Sequence, residues 1–241
     1  MTVIHKVVEY KTNDSAIFEG DLYIPSGARK LGAVLVFPAF RGITHFEKEQ
    51  AEKLANLGYI AFCADVYGKN IRPQTVEEAF ATMNAIKNDR QGVLKSRMMA
   101  ALETLKRVKA VDPNRIAAIG YCFGGLCALD MARYNVGLKA AVSYHGTLLP
   151  IDGLPLDPIA TAVQIHHGDA DPHVGQEQVV GIHEEMRKRN ADFVFVSHGN
   201  AMHAFTEPEA DLLQRAGVGY NAKAAKRSWE MTLNLLDEVF V

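Results

Sequence analysis

Gly120-Tyr121-Cys122-Phe123-Gly124 closes an apolar run that begins at Ile116 and brackets a thiol with residues that have no side chain. The pattern G-x-C-x-G is the cysteine form of the nucleophile elbow, in which a strand stops, the nucleophile occupies a strained turn and a helix starts behind it. Glycines two before and two after the cysteine let strand and helix approach closely. At that helix N-terminus, unpaired backbone amides and the helix dipole favour a thiolate, the reactive form of cysteine near neutral pH. The bland alternative is a small buried cysteine at a tight turn.

A nucleophile needs a base and a group to orient that base, so acids and histidines at later strand ends decide between these readings. AVQIHHG runs into a loop carrying Asp169 and Asp171, and DFVFVSHG runs into a loop carrying His203. The chain order nucleophile, acid, histidine is the one used by the α/β-hydrolase scaffold. Asp171, later in its loop and followed by Pro172 and a helix from about 175, is favoured over Asp169 as the orienting acid. Of the nine histidines, His166, His167 and His198 sit at strand ends where a core role is the simpler reading, whereas His203 lies beyond its strand, far enough to fold back over the elbow.

The elements that must position these residues follow from periodicity. VIHKVVEY and IFEGDLYIP alternate apolar and polar residues around Asn13-Asp14-Ser15, which predicts a hairpin on one sheet edge. GAVLVFPAF (32–40), YIAFCADV (59–66) and RIAAIG (115–120) are continuously apolar, as strands buried on both faces are. Helices are predicted over 46–57, capped by Gly58, and over two stretches between 75 and 109 separated by Asp89-Arg90-Gln91-Gly92. Asp112-Pro113-Asn114 reads as a turn, and further helices follow the elbow, cover about 175–189, and end the chain at 220–239. In the last, Trp229, Leu233, Leu236 and Phe240 share a helical stripe that reads as core packing. Alternating strands and helices predict an α/β fold, a mostly parallel sheet covered on both faces, built as one domain over 1–241 with 68–95 as a helical insertion near the site. Ligands of such sheets bind beyond the carboxyl ends of the strands.

Bulk properties narrow the function classes. With 26 basic and 28 acidic residues there is no electrostatic footprint for nucleic acid or an anionic membrane. Three cysteines (Cys63, Cys122, Cys127) make no disulfide framework, no apolar run approaches the length of a spanning helix, and the N-terminus lacks a signal-peptide core. The expectation is a cytoplasmic monomer or homodimer acting on a small molecule, without cofactor or metal; neither C-x-x-C nor H-E-x-x-H occurs.

The chain resembles the dienelactone hydrolase family of α/β-hydrolases. The likeness runs from VLVFPAFRG through LGYIAFCADVYGK, VDPNRIAAIGYCFGG, AVSYHG and HHGDADPHV to MHAF. It implies Cys122 as nucleophile, Asp171 as acid and His203 as base, in agreement with the reading from the residues alone. Two departures stand out. The family's glutamate in the loop after the first buried parallel strand is matched here by Ala39, and His203 is followed by Ala204-Phe205-Thr206-Glu207, without the arginine that helps hold the dienelactone carboxylate. Both argue against an anionic dienelactone as substrate.

The implied reaction is hydrolysis of a carboxylic ester or lactone through a thioester. The expected oxyanion donors are the amide of Phe123 and a second amide from the Ala39–Phe40 loop. Arg41, Tyr144 and His145 are candidate pocket residues; a solvated arginine is the plainer reading of Arg41, and a core role stands equally beside the pocket role for Tyr144 and His145. The competing expectation is a catalytically silent relative that binds a small ligand or senses oxidants through Cys122.

Overall fold

The structure, a computed structural model, describes residues 2–241. Eight strands form one sheet in the order β1-β2-β4-β3-β5-β6-β7-β8. The antiparallel hairpin of β1 (Val3–Lys11) and β2 (Ile17–Pro25) occupies one edge, as alternation predicts. β3 (Leu31–Phe37) runs parallel to β4 (Ile60–Cys63), and β6 (Ala140–Tyr144), β7 (Ala162–Gly168) and β8 (Phe193–His198) are likewise parallel. Every residue of β4 and β6 is buried. That is why these strands read as unbroken apolar runs.

Chain contacts divide the molecule into two compact units, residues 1–118 and 119–241. In the first, α1 (His45–Asn56) starts with a capping box in which the Thr44 and Glu47 side chains each accept a backbone N–H of the other's end. α2 (Val76–Lys87) carries a second such box on Thr75 and Glu78. The break expected at 89–92 is a π-helical turn, Arg90–Leu94, that feeds directly into α3 (Lys95–Lys106), with the Asp89 carboxylate accepting the N–H groups of Gly92 and Val93. Asp112-Pro113-Asn114 is not a separate turn. β5 (Val111–Tyr121) already includes it, with Asp112 holding the Asn114 amide at 3.0 Å.

The second unit contains α4 (Phe123–Arg133), α5 (Gln176–Lys188) and α6 (Ala222–Val239). The inward stripe of α6 is Ala224, Ser228, Thr232 and Leu236, offset by one position from the expected Trp229 and Leu233, which are only half-buried. Small residues on that stripe let the helix sit close, and the Thr232 hydroxyl joins a buried polar chain to Tyr144 and Gln164. Leu129, Ala132, Ala141, Val163, Ile165, Ile182 and Met186 make the apolar core beneath α4 and α5. Among the described residues, no helix is long and apolar enough to cross a membrane.

Candidate active site

The turn between β5 and α4 is as crowded as its glycines suggest. A Cβ on Gly120 would fall 1.9 Å from the carbonyl oxygen of Gly124, and one on Gly125 would fall 2.6 Å from Ser143 Oγ. Only glycine lets strand and helix meet so closely. Cys122 sits between them at φ 52°, ψ −111°, a left-handed conformation that costs an L-residue about 1–3 kcal/mol and persists only where its surroundings enforce it. Its N–H donates to Tyr144 O at 3.0 Å and to His145 Nδ1 at 3.1 Å. The side chain is left partly exposed at the N-terminus of α4.

Asp171 follows β7 by three residues. Its Oδ1 accepts the backbone N–H of His173 at 2.8 Å, which closes the loop locally, and its Oδ2 lies 2.8 Å from His203 Nδ1. Asp169, the alternative acid, is exposed and accepts from Ser197 Oγ instead. His203 is fastened by two backbone bonds to 217–219, its N–H to Gly217 O at 2.9 Å and its carbonyl from Gly219 N–H at 3.0 Å. The ring's other nitrogen, Nε2, lies 3.1 Å from Cys122 Sγ. Sulfur, imidazole and carboxylate therefore form one continuous chain. Burial would lower the pKa of His203, but the sulfur of Cys122 and the hydrogen-bonded carboxylate of Asp171 overcome it and raise it to about 10. The ring is thus stabilised in its protonated form, with Nε2 facing the sulfur.

Two site expectations are corrected. Tyr144 and His145 do not line a pocket: Tyr144 is stacked between Tyr121 and His166 with its hydroxyl on Thr232, and His145 has no exposed surface. Ala39 is not a free oxyanion donor, because its N–H donates to the buried carboxylate of Glu47 at 3.1 Å. Gly42 N–H donates to Ala39 O at 3.0 Å, and since a trans peptide points its N–H opposite its C=O, this turns the Phe40 N–H away from the Gly42 side. Arg41 is exposed, with its guanidinium 5.7 Å from the Phe40 ring. Phe123 is the first residue of α4, where amides point along the axis out of the helix.

His166 and His198 have the core role expected of them. Their rings bond to each other at 3.2 Å, and burial lowers the pKa of His166 to about 3, so it is neutral. Glu47, Thr206 and the His173 amide were invisible as site supports from sequence, since each acts on a partner chosen by the fold. Among the described residues, no group of three or more His, Cys, Asp or Glu side chains is arranged to hold a metal ion.

Comparison with known proteins places this geometry in context. A protein of Caenorhabditis elegans named as uncharacterized is 54% identical over 155 residues, covering 64% of this chain and 98% of its own length. A Bradyrhizobium protein named "probable 2-oxo-3-(5-oxofuran-2-ylidene)propanoate lactonase" is 28% identical, covering 85% of this chain and 82% of its own. A solved dienelactone hydrolase-like promiscuous phosphotriesterase from metagenomic libraries superposes with a TM-score of 0.95 at 33% identity over the whole of both chains. The model of the dienelactone hydrolase family matches residues 18–240, and the chain belongs to that family of hydrolases.

Proposed function

We propose that the protein hydrolyses a carboxylic ester or lactone through Cys122, His203 and Asp171, with a thioester acyl-enzyme as intermediate. The observation that carries this reading is the unbroken chain from Cys122 Sγ through both nitrogens of His203 to Asp171 Oδ2, at 3.1 and 2.8 Å. The thiolate adds to the carbonyl carbon, and the oxyanion is met by the Phe123 amide at the start of α4. The tetrahedral species collapses as the imidazolium gives its proton to the leaving alkoxide, and water activated by the neutral imidazole then splits the thioester. Asp171 holds the ring so that Nε2 faces the sulfur. No step calls for a metal.

Ala39 in place of the family glutamate, and Ala204 to Glu207 in place of the arginine-bearing segment, support neutral esters or lactones rather than an anionic dienelactone. Short p-nitrophenyl esters and small neutral lactones test this directly. Wild type should turn over, and Cys122→Ala and His203→Ala should fall to background. Acyl-Cys122 should be trapped by acid quench and seen as the added acyl mass. Equal background rates in all three proteins would overturn the hydrolase reading and leave ligand binding or oxidant sensing.

A further inference from the structure

His145 is fully buried in a left-handed turn at φ 39°, immediately after β6. A non-glycine residue held there is strained, and its ring is the reason the strain is informative. Nδ1 receives the N–H of Cys122 at 3.1 Å, and on the opposite side Nε2 lies 2.8 Å from Thr206 Oγ1. A nitrogen that accepts an N–H carries no proton of its own, so the proton of the neutral ring is on Nε2 and is donated to Thr206. The ring is neutral: burial and the facing ring of His203, 5.2 Å away, hold the pKa of His145 well below the ordinary histidine value, with His166 acting in the same sense and outweighing a bond to its own backbone that acts in the other. The ring is a rigid body with one acceptor and one donor. Its acceptor grips the nucleophile's own backbone, and its donor grips the loop three residues beyond the catalytic base.

We infer that His145, locked in its Nε2–H form by Thr206, is a strut that sets the spacing between the Cys122 elbow and the His203 loop. It touches no reacting atom and is a positioning residue for the reaction proposed above, on which this role rests. Phe205 lies edge-on to the His145 ring at 5.2 Å and packs one side of it. Without the hydroxyl at 206, Nε2–H loses its acceptor. The imidazole is then free to turn or to change tautomer, which leaves the Cys122 amide on Tyr144 O alone on one side or frees the 203–206 loop on the other.

Thr206→Val keeps the side-chain shape and removes the acceptor, and Thr206→Ser restores it. Two readouts separate a strut from a merely structural residue: the pH profile of Cys122 alkylation by iodoacetamide, and kcat against KM for p-nitrophenyl acetate. The expected result is a kcat at least tenfold lower in Thr206→Val with KM within twofold. The alkylation profile should also move along the pH axis, and both properties should return in Thr206→Ser. A second variant, His145→Phe, should reproduce the Thr206→Val profile if it folds, and the valine variant decides the matter if it does not. Wild-type behaviour in Thr206→Val, or a loss that serine fails to restore, would overturn the strut. Should wild type itself show no ester turnover, the hydrolase reading fails, and the alkylation profiles alone still decide whether His145 spaces the two loops.

Discussion

Asp171 divides its two oxygens between a backbone amide and an imidazole, and the division predicts what its loss does. Asp171→Asn can keep the turn through its amide oxygen yet can no longer stabilise an imidazolium at His203. Turnover should drop by about 10³–10⁴, as in other triads whose aspartate is made neutral. The pH dependence follows from the raised pKa of His203. On the proposed mechanism its proton goes to the leaving group, so the alkaline limb of kcat in wild type should lie near pH 10, and in Asp171→Asn it should move to lower pH because one cause of the elevation is gone. The same linkage acts on stability. A histidine raised in the folded state from 6.5 to about 10 stabilises fully below pH 6.5, and that contribution is lost as pH rises through 10. Chemical denaturation of wild type against His203→Asn across this range should show the difference shrinking towards high pH. Cys122, Asp171 and His203 were legible in the sequence because each occupies its strand end in a known order. Thr206 and His145 were not, since 61 positions separate them and only the folded loop makes them partners.

Packing between β5 and α4 is set by glycine, and two substitutions separate crowding from propensity. Gly120→Ala drives a methyl into the Gly124 carbonyl, with backbone on both sides that cannot yield, and it should abolish the native elbow together with ester turnover. Gly181 lies exposed in α5 with open space around its would-be Cβ, so Gly181→Ala should raise stability by about 0.5–1 kcal/mol in urea titrations and leave kcat unchanged. The buried parallel strands were readable because burial on both faces writes an unbroken apolar run into the sequence, and the hairpin was readable from its turn residues and alternation although β1 is exposed along most of its length. Ends were less readable. Asp112-Pro113-Asn114 carries turn chemistry that the sheet overrides by letting Asp112 cap its own local backbone. On α6 the sequence pointed to Leu236 but not to Ala224, Ser228 and Thr232, because these are small or polar: Ser228 and Thr232 face a hydrogen-bonded interior rather than an oily one.

At the scale of the molecule, the residues 119–241 that hold Cys122, Asp171 and His203 contain a network of buried charge. Arg133, at the end of α4, pairs with Asp130 at 3.0 Å and with Glu185 of α5 at 2.8 Å, and Arg189 reaches both Glu185 and the carbonyl of Arg133. Both arginines and Asp130 are almost wholly excluded from solvent. Such a network stands or falls as a whole. Glu185→Gln leaves two buried guanidinium groups short of a counter-charge and should destabilise by about 3–5 kcal/mol in equilibrium unfolding, whereas a loss below 1 kcal/mol would show that water reaches the cluster.

The sulfur precedes its base by 81 positions. At about 5–20 residues per second, a ribosome delivers the imidazole roughly 4–16 s after the thiol. During that interval the contact between Nε2 of His203 and Cys122 Sγ cannot exist. On the mechanism proposed above, the thiol can form acyl bonds only once the last third of the chain has been made and has closed over it.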